Sequence, residues 1–335
     1  MSELSANPDL RAIADRISEA QTLLITTHAR PDGDGLGSMV ALGRLAENAG
    51  KTVYLVSDEV PLRYKFLFPD QLPAGMSRFA TLAQMADEVV LLDTSSPAQL
   101  EPIAEAFVPV HDKTVVLDHH AVGGDVGEVQ WVDQHAAATG VMVAELAEVL
   151  GWELDLIAAE ALMAAIASDT GWLQYANTDG RCLRLTGKLV DVGVRTDKLY
   201  HELFQNARLE RLKLLSRVLD SLELYCDGRL AVMTVVGEDF AATGAKPGEM
   251  ENLVNASLEI GTVETAIILV ENDENIRVSL RSRDLLDVAN IARQFGGGGH
   301  RRAAGARVVD SMEVVKDKLI HICQRAFAKV DGEKK

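Results

Sequence analysis

Short apolar runs alternate with helical segments along the first two-thirds of the chain. The runs occupy residues 23–27, 52–56, 89–92 and 114–117, and stretches with helical spacing of apolar positions separate them. Runs this short and this continuous are typical of buried parallel strands. The pattern therefore predicts an α/β fold with a mostly parallel N-terminal sheet that helices cover on both faces.

The last third of the chain has a different order of elements. Leucines at steps of three and four residues predict an amphipathic helix over 206–225. Strand-like runs follow at 230–236, 265–271 and 276–282, with helical segments between and after them. These elements predict a smaller C-terminal α/β domain with a mixed sheet, joined to the first domain by a helical connector.

The chain length supports this division into domains. A chain of 335 residues that is 47% hydrophobic exceeds what one core usually absorbs. We therefore expect a first domain over 1–195, a helical linker over 196–225 and a second domain over 226–330.

Polar side chains stand where three of the predicted strands end. His28 follows the first run, Asp93 follows the third, and Asp118, His119 and His120 end the fourth. In open α/β sheets, ligands bind at the carboxyl ends of the strands. We therefore expect these imidazoles and carboxylates to lie close together.

The loop after the first strand carries two further acids. Its sequence, HARPDGDGLGS over residues 28–38, places Asp32 and Asp34 on either side of a glycine. The proline stiffens the loop and the glycines let it turn tightly, so the two acids can reach different ions. Another acid, Asp169 in the sequence SDTG, follows a later helical stretch.

Clustered imidazoles and carboxylates are the donor set for two divalent ions. Mixed nitrogen and oxygen ligands favour Mn²⁺ over Mg²⁺, which prefers oxygen and water, and Mg²⁺ and Co²⁺ stay alternatives. Two ions about 3.5–4 Å apart, bridged by Asp93, hold a hydroxide between them and stabilise a displaced phosphoryl group. The sequence thus predicts metal-assisted hydrolysis of a phosphate ester.

Three other loop types resemble parts of these motifs but fit less well. A calcium loop needs oxygen ligands at the positions that Leu36 and Gly43 occupy. A dinucleotide-binding turn needs GxGxxG, whereas residues 33–38 read GDGLGS. The GKT of residues 50–52 lacks the first glycine of a phosphate loop. All three remain less favoured alternatives.

A second cluster of motifs lies in the C-terminal domain. The run FGGGGHRRAAG, residues 295–305, has four glycines whose N–H groups can approach an anion closely, and His300 follows them. In the strand IRVSLRS, Ser279 and Arg281 share a face by period-two alternation. Residues 277–307 hold seven arginines and two acids, which suits a short anionic ligand. The alternatives are a flexible linker and a solvated basic face.

Composition limits the partners and the compartment. A net charge of −17 argues against non-specific binding of long nucleic acid duplexes. The apolar stretches are too short to span a bilayer, so we expect no membrane contact. The start of the chain lacks the apolar segment of a signal peptide. The three cysteines form neither a disulfide framework nor a zinc pattern, so we expect a cytoplasmic protein.

Taken in order, these motifs resemble those of the DHH phosphoesterases that carry the DHH-associated C-terminal domain. Residues 28–38 match the family's first motif, H-x-x-P-D-G-D-x-x-G-S, in full, and Asp93, residues 118–120 and Asp169 match the next three. Two C-terminal motifs are matched as well: S-x-R-S by residues 279–282 and GGGGH-x-x-AAG by residues 296–305. The resemblance therefore covers almost the whole chain.

The resemblance implies a role for each of these positions. The implied ligands are His28, Asp32 and Asp93 for one ion, and Asp34, Asp93, His119 and Asp169 for the second. Asp118 would orient a neighbouring histidine, and His120 would contact the scissile phosphate or assist the leaving group. The implied substrate-binding residues are Ser279, Arg281, Gly298, Gly299 and His300.

Within this family, the chain resembles the nanoRNase and pAp-phosphatase members. The implied function is the degradation of RNA of two to five nucleotides to mononucleotides, together with dephosphorylation of 3′-phosphoadenosine 5′-phosphate. The alternatives are a cyclic or linear dinucleotide phosphodiesterase of the c-di-AMP or pApA type, a pyrophosphatase, and a catalytically silent nucleotide-binding regulator. The expected partners are short single-stranded RNA, dinucleotides and phosphoadenosine phosphate, and a homodimer is left open.

Overall fold

The computed structural model describes residues 7–101, 103–120, 123–250, 252–272 and 274–333, and of residues 300 and 333 the backbone alone. Two units divide the chain, Met1–Asn206 and Ala207–Lys335. Each is built around its own six-stranded sheet.

The first unit alternates strands with helices. Its strands are β1 (Thr22–Thr27), β2 (Thr52–Ser57), β3 (Ala74–Gly75), β4 (Glu88–Leu92), β5 (Thr114–Asp118) and β6 (Val129–Val132). Its helices are α1 (Pro8–Glu19), α2 (Gly33–Asn48), α3 (Phe79–Met85), α4 (Ala104–Phe107), α5 (Thr139–Leu150), α6 (Leu156–Asp169), α7 (Gly180–Val192) and α8 (Thr196–Phe204). Short 3-10 helices cover Leu62–Leu67, Met76–Arg78, Pro97–Gln99 and Val108–Lys113.

The strands of this unit form one parallel sheet in the order β3-β2-β1-β4-β5-β6. The four apolar runs are β1, β2, β4 and β5, so the predicted α/β fold is confirmed. Leu23 and Ile25 of β1 pack with α1, α2, α5 and α6, whereas Leu24 packs with α3 and α4 on the opposite face. Because helices cover both faces, the strand interiors are apolar throughout.

The order of the strands reverses between β1 and β4. From β1 the chain continues to β2 and β3 on one side, and then to β4, β5 and β6 on the other. A reversal of this kind opens a crevice at the carboxyl ends of the two central strands. The register of β1, β4 and β5 brings His28, Asp93 and Asp118 side by side at this crevice.

Glycines allow α2 to lie directly against α6. A Cβ atom at Gly37 would lie 2.5 Å from the carbonyl oxygen of Ala161, and one at Gly33 would lie 2.7 Å from the Ser168 side chain. Any side chain at these two positions would therefore force the helices apart. The contacts bring the first turn of α2 against the last turn of α6, and each of these turns carries an acid of the predicted site.

The second unit contains the mixed sheet that the sequence predicts. Its strands are β7 (Glu223–Tyr225), β8 (Leu230–Val235), β9 (Thr265–Glu271), β10 (Ile276–Ser282), β11 (Gly298–His300) and β12 (Ala303–Val308). Its helices are α9 (Leu209–Asp220), α10 (Gly237–Thr243), α11 (Val288–Arg293) and α12 (Met312–Glu333), with 3-10 helices at Pro247–Met250 and Leu253–Glu259.

The strand order in the second unit is β11-β12-β10-β9-β8-β7. Strands β8 and β9 are parallel, and the other neighbouring pairs are antiparallel. One apolar cluster packs α11 and α12 on one face of the sheet, and another packs α9 on the opposite face. Within the described ranges of both units, no helix is long and apolar enough to cross a membrane.

The single amphipathic helix predicted over 206–225 is wrong at its C-terminal end. Helix α9 ends at Asp220, and residues 223–225 form the edge strand β7. The Ser221 hydroxyl donates a hydrogen bond to the Thr234 carbonyl and accepts one from the Thr234 N–H, which turns the chain onto β8. Helix α8 packs into the core of the first unit and α9 into that of the second.

Candidate metal centre

Acidic and imidazole side chains converge at the carboxyl ends of β1, β4 and β5. Three groups have ligand atoms that all lie within 4.8 Å of one another: Asp93, His119 and His120; His28, Asp32 and Asp93; and Asp34, His119 and Asp169. Asp93 belongs to two of these groups, and so does His119. The structure thus brings together all six side chains that the sequence predicts as metal ligands.

His28 directs one ring nitrogen at the acids. Its Nδ1 lies 2.9 Å from the Ala29 carbonyl oxygen. Its Nε2 lies 3.8 Å from Oδ1 of Asp32 and 3.6 Å from Oδ2 of Asp93. Asp32 is the N-cap of α2 and accepts two backbone N–H groups of the first turn. A histidine with one nitrogen on a carbonyl and the other facing carboxylates has the arrangement of a metal ligand.

The His119 imidazole lies among three carboxylates. Its Nε2 is 3.2 Å from Oδ2 of Asp169, 3.4 Å from Oδ1 of Asp93 and 3.7 Å from Oδ2 of Asp34. Its Nδ1 lies 3.2 Å from the carbonyl oxygen of Ala136. That carbonyl holds a proton on Nδ1, so Nε2, which faces the acids, is the nitrogen that is left for a metal ion.

Asp118 supports His120 from a buried position. One carboxylate oxygen lies 2.7 Å from Nδ1 of His120 and also accepts the His120 N–H, and the other accepts a 2.6 Å hydrogen bond from the Ser95 hydroxyl. Burial opposes ionisation, yet His120 and Ser95 hold the pKa of Asp118 below its usual range. Burial lowers the pKa of His120, but Asp118 and Asp93 together outweigh it and the net shift is upward. The pair therefore favours an oriented, protonated imidazole.

Asp34 of α2 is fully buried, and its carboxylate lies at the amino-terminal end of α5. Its two oxygens accept backbone N–H groups from Thr139, at 2.6 Å, and from Gly140, at 2.9 Å. The Ser38 hydroxyl donates a third hydrogen bond at 3.2 Å. The amino-terminal end of a helix stabilises a carboxylate through these N–H groups, so α5 fixes the orientation of Asp34.

Asp93 occupies a left-handed backbone conformation directly after β4. Its φ is +64°, and its side chain is 2% exposed. The Asp93 N–H donates to the Leu117 carbonyl, and the carboxylate accepts a 2.9 Å hydrogen bond from the Thr139 hydroxyl. Left-handed backbone costs about 1–3 kcal/mol in a residue other than glycine, and it concentrates at functional sites. The strain aims this carboxylate between His28 and His119.

One amide joins the end of α6 to the segment before α5. The Asn177 side-chain nitrogen donates to the Ala137 carbonyl at 2.9 Å and to the Asp169 carbonyl at 3.1 Å. Residues 136–140 therefore contact His119, Asp93 and Asp34 directly, and Asp169 through Asn177. This segment therefore supports His119 and the acids around it, which are Asp34, Asp93 and Asp169.

The electrostatics of the site suit divalent cations. Burial, together with the neighbouring Asp93 and Asp169, raises the pKa of Asp34 well above its usual range, and burial also raises the pKa of Asp169. Burial opposes protonation of His119, yet Asp169 and Asp93 raise its pKa to about 12. Crowded acids therefore retain positive charge on the imidazoles. Carboxylate oxygens with imidazole nitrogens form the donor set that Mn²⁺ accepts, so these residues fit such ions.

The predicted substrate-binding residues lie on neighbouring strands of the second unit. Ser279 of β10 is in register with Gly305 of β12, which pairs with Gly298 of β11. Two residues further along β10, Arg281 lies in the row that contains His300, whose side chain is outside the described part of the structure. The strands therefore bring these predicted positions onto adjacent rows of one sheet.

The end of the glycine-rich run, Gly298–His300, is strand β11 rather than a flexible linker. Gly299 has a φ of +137°, and a Cβ there would lie 2.5 Å from the Ala303 carbonyl oxygen. A Cβ at Gly297 would lie 2.1 Å from the Gly305 carbonyl oxygen. These glycines are therefore required by the close approach of β11 to β12, whereas a Cβ at Gly298 would meet open space.

Sequence reasoning missed three residues that support the site. Ser95, Thr139 and Asn177 each hold a predicted site residue through a hydrogen bond. Ser95 follows Asp93 by two positions, which is the one local signal that it offers. Thr139 and Asn177 are distant from their partners in sequence, and only the packing of α5 and α6 brings them close.

Both units match known families. Residues 22–167 match the DHH family, N-terminal domain, and residues 227–329 match the DHHA1 domain. In solved structures, the fold is similar to an exopolyphosphatase-related protein from Bacteroides fragilis. That comparison has a TM-score of 0.88 and 22% identity and covers 98% of each chain.

Two relatives are similar over most of their length. One is the bifunctional oligoribonuclease and PAP phosphatase NrnA of Thermus thermophilus, which is 31% identical over 89% of this chain and 87% of its own. The other is the protein of the same name from Bacillus subtilis, which is 27% identical over 87% of this chain and 91% of its own. The resemblance in the motifs is thereby confirmed, and the chain belongs to the DHH phosphoesterase family, with a DHHA1 domain in its second unit.

Proposed function

We propose that this protein hydrolyses phosphate esters in short nucleotides. It degrades RNA of two to five nucleotides to mononucleotides and removes the 3′-phosphate of 3′-phosphoadenosine 5′-phosphate. The observation that carries the proposal is the set of three acid and imidazole groups, which are linked because Asp93 and His119 each belong to two of them. The name of the two NrnA relatives, oligoribonuclease and PAP phosphatase, supports the substrate class.

The metal ligands in this proposal are drawn from the three groups of the site, without His120. His28, Asp32 and Asp93 hold one ion; Asp34, Asp93, His119 and Asp169 hold the second. We infer Mn²⁺, with Mg²⁺ and Co²⁺ as alternatives, from the mixture of nitrogen and oxygen donors. When bound, two such ions lower the pKa of water and stabilise the charge of a phosphoryl group in transfer.

His120 and Asp118 handle the proton at the leaving oxygen. The 2.7 Å contact with Asp118 holds the His120 ring through Nδ1, so that Nε2 is the atom that donates. His120 and Ser95 keep Asp118 ionised in its buried position, the imidazole through the same 2.7 Å contact and the hydroxyl through a 2.6 Å hydrogen bond. A protonated, oriented imidazole is the form that a general acid requires, because the leaving oxygen gains a proton as its bond to phosphorus breaks.

The second unit binds the substrate's terminal phosphate through Ser279, Arg281, Gly298, Gly299 and His300. Arg281 is half-buried on β10 and supplies the positive charge, and Ser279 lies on the same face of that strand. A small basic surface on a protein with a net charge of −17 favours short, phosphate-ended ligands over long duplexes.

The test is metal-dependent release of mononucleotide from a labelled diribonucleotide, beside release of phosphate from phosphoadenosine phosphate. The Asp93→Asn variant should lose at least a hundredfold in kcat for both substrates, because it removes the acid shared by two groups. Asp112→Asn, at a fully exposed acid, is the matched control and should keep its rate. A protein that binds Mn²⁺ but cleaves neither substrate, or an Asp93→Asn variant with near-normal rates, contradicts the proposal.

A further inference from the structure

A cavity of about 480 Å³, open to solvent over most of its boundary, lies in the first unit among α6, α7, α8 and the loop after Asp169. Its walls combine the aromatic side chains of Trp172 and Tyr200, the apolar Met163, and the polar side chains of Thr186 and Gln205. This volume is within the usual range of sites for small organic ligands, about 300–1,000 Å³. Aromatic faces with a few polar groups are what a heterocyclic ring requires.

The loop that forms one wall has an unusual backbone. Gly171, Trp172 and Leu173 have φ values of +56°, +60° and +67°, so three successive residues are left-handed. This region is unfavourable for bulky side chains, and such outliers concentrate at ligand sites. The Trp172 N–H donates to the Ala167 carbonyl at 2.8 Å, which holds the turn closed. The loop thus keeps an indole in a position that a relaxed backbone would not provide.

Aromatic residues are concentrated around this indole. The ring centroid of Trp172 lies 5.1 Å from that of Tyr200 and 5.9 Å from that of Phe204, both in edge-on geometry. The guanidinium of Arg63 lies 5.7 Å from the Phe204 ring. The chain has three tryptophans and five tyrosines in 335 residues, so this clustering is not a consequence of composition. The edge-on contacts fix the orientation of the indole.

The cavity is close to the candidate metal centre along the chain. Trp172 follows Asp169 by three residues, so their Cα atoms are at most about 11 Å apart. The hydrogen bond from Trp172 back to Ala167 shortens that distance further. Because the Trp172 backbone lies this close to Asp169, the loop that carries the indole is within reach of the base of a nucleotide whose phosphate is at the metal centre.

We propose that this cavity is a nucleobase-binding subsite, in which a base of the substrate stacks on Trp172. Tyr200 borders the base. The Gln205 amide offers hydrogen-bonding groups to the edge of the base, and the Thr186 hydroxyl, which donates to the Cys182 carbonyl, offers an acceptor. The inference deepens the proposed function, on which it rests. Stacking on an aromatic side chain contributes enough that its removal weakens binding roughly 5- to 100-fold per base.

The first test compares Trp172→Ala with Trp172→Phe on two substrates, a diribonucleotide and its analogue that lacks one base. Trp172→Ala should raise KM for the diribonucleotide roughly 5- to 100-fold, and Trp172→Phe should raise it less because a ring remains. The KM for the abasic analogue and the affinity for Mn²⁺ should not change. Equal losses on both substrates, or weakened Mn²⁺ binding, would mean that Trp172 only supports the fold around Asp169.

The second test does not depend on turnover. AMP should quench tryptophan fluorescence in the Trp152→Phe variant, which retains Trp172, and should not quench it in Trp172→Phe. Trp152 is the matched control, because it packs at the end of α5 outside the cavity lining. If the protein cleaved no nucleotide, quenching through Trp172 would still support the subsite. AMP binding that is equal in both variants would overturn it, whatever the enzyme's activity.

Discussion

Asn177 offers a direct test of how the acids around His119, namely Asp34, Asp93 and Asp169, are held in place. Its amide makes two hydrogen bonds, at 2.9 Å to the Ala137 carbonyl and at 3.1 Å to the Asp169 carbonyl. Each such bond contributes a net 0.5–1.5 kcal/mol or so. Because the amide is at the surface, we expect Asn177→Ala to lower the free energy that holds Asp169 in position by about 1–2 kcal/mol.

We expect this loss to lower the affinity of the protein for Mn²⁺. A difference of about 1.4 kcal/mol corresponds to a tenfold change in Kd, so Asn177→Ala should weaken binding of one Mn²⁺ roughly 5- to 30-fold. Partners that orient ligands typically contribute about 10- to 100-fold, which agrees with this range. The other ion, at His28 and Asp32, should bind as before because neither residue touches Asn177.

The assay is calorimetric titration of Mn²⁺ into the metal-free protein, which resolves two sites of different affinity. Asn206→Ala is the control, because its amide bonds the exposed Glu202 instead. Asn177→Asp should weaken Mn²⁺ binding more than Asn177→Ala does, because both variants lose the donor and the carboxylate in addition repels the two carbonyl oxygens. Unchanged affinity at both sites, or an equal loss at both, would refute the reasoning.

Two further predictions concern protons and packing. Mn²⁺ affinity should rise between pH 6 and pH 8, because the raised pKa values of His28 and His119 keep protons on ligands that the ion must displace. Calorimetry in buffers of different ionisation enthalpy measures the released protons, and a pH-independent Kd would contradict this. Gly37→Ala should lower the free energy of unfolding by about 1–3 kcal/mol, because its Cβ would meet α6 backbone. Gly187→Ala, at an open position of α7, should instead raise it by up to about 1 kcal/mol in urea denaturation.

The prediction of the fold succeeded where elements leave a local signal. Each of the four apolar runs became a strand, and β1, β4 and β5 are buried, because a strand with helices on both faces must be apolar along its length. The strands β3, β6, β7, β11 and β12 were not predicted. The first four have at most four residues, too few for a periodic pattern, and β12 is rich in alanine and glycine, so pairing with a neighbour is what makes them strands.

The amino-acid sequence by itself determined the chemical identity of the site. Local spacing puts His28, Asp32 and Asp34 on one loop, and strand ends position Asp93 and the 118–120 triplet, so the donor set is visible before any packing is known. The roles given to the individual ligands and to the substrate-binding residues stay predictions.

Only the tertiary structure decided how that donor set is held. The support from Thr139 and Asn177, the burial of Asp34 under α5 and the left-handed Asp93 all depend on the close approach of α2, α5 and α6. The aromatic cavity also depends on packing, because residues from α6, α7, α8 and one strained loop form it. Hydrogen bonds and cavities between distant segments have no periodicity along the chain. They follow from packing, whereas ligand type and strand placement follow from residue identity and local pattern.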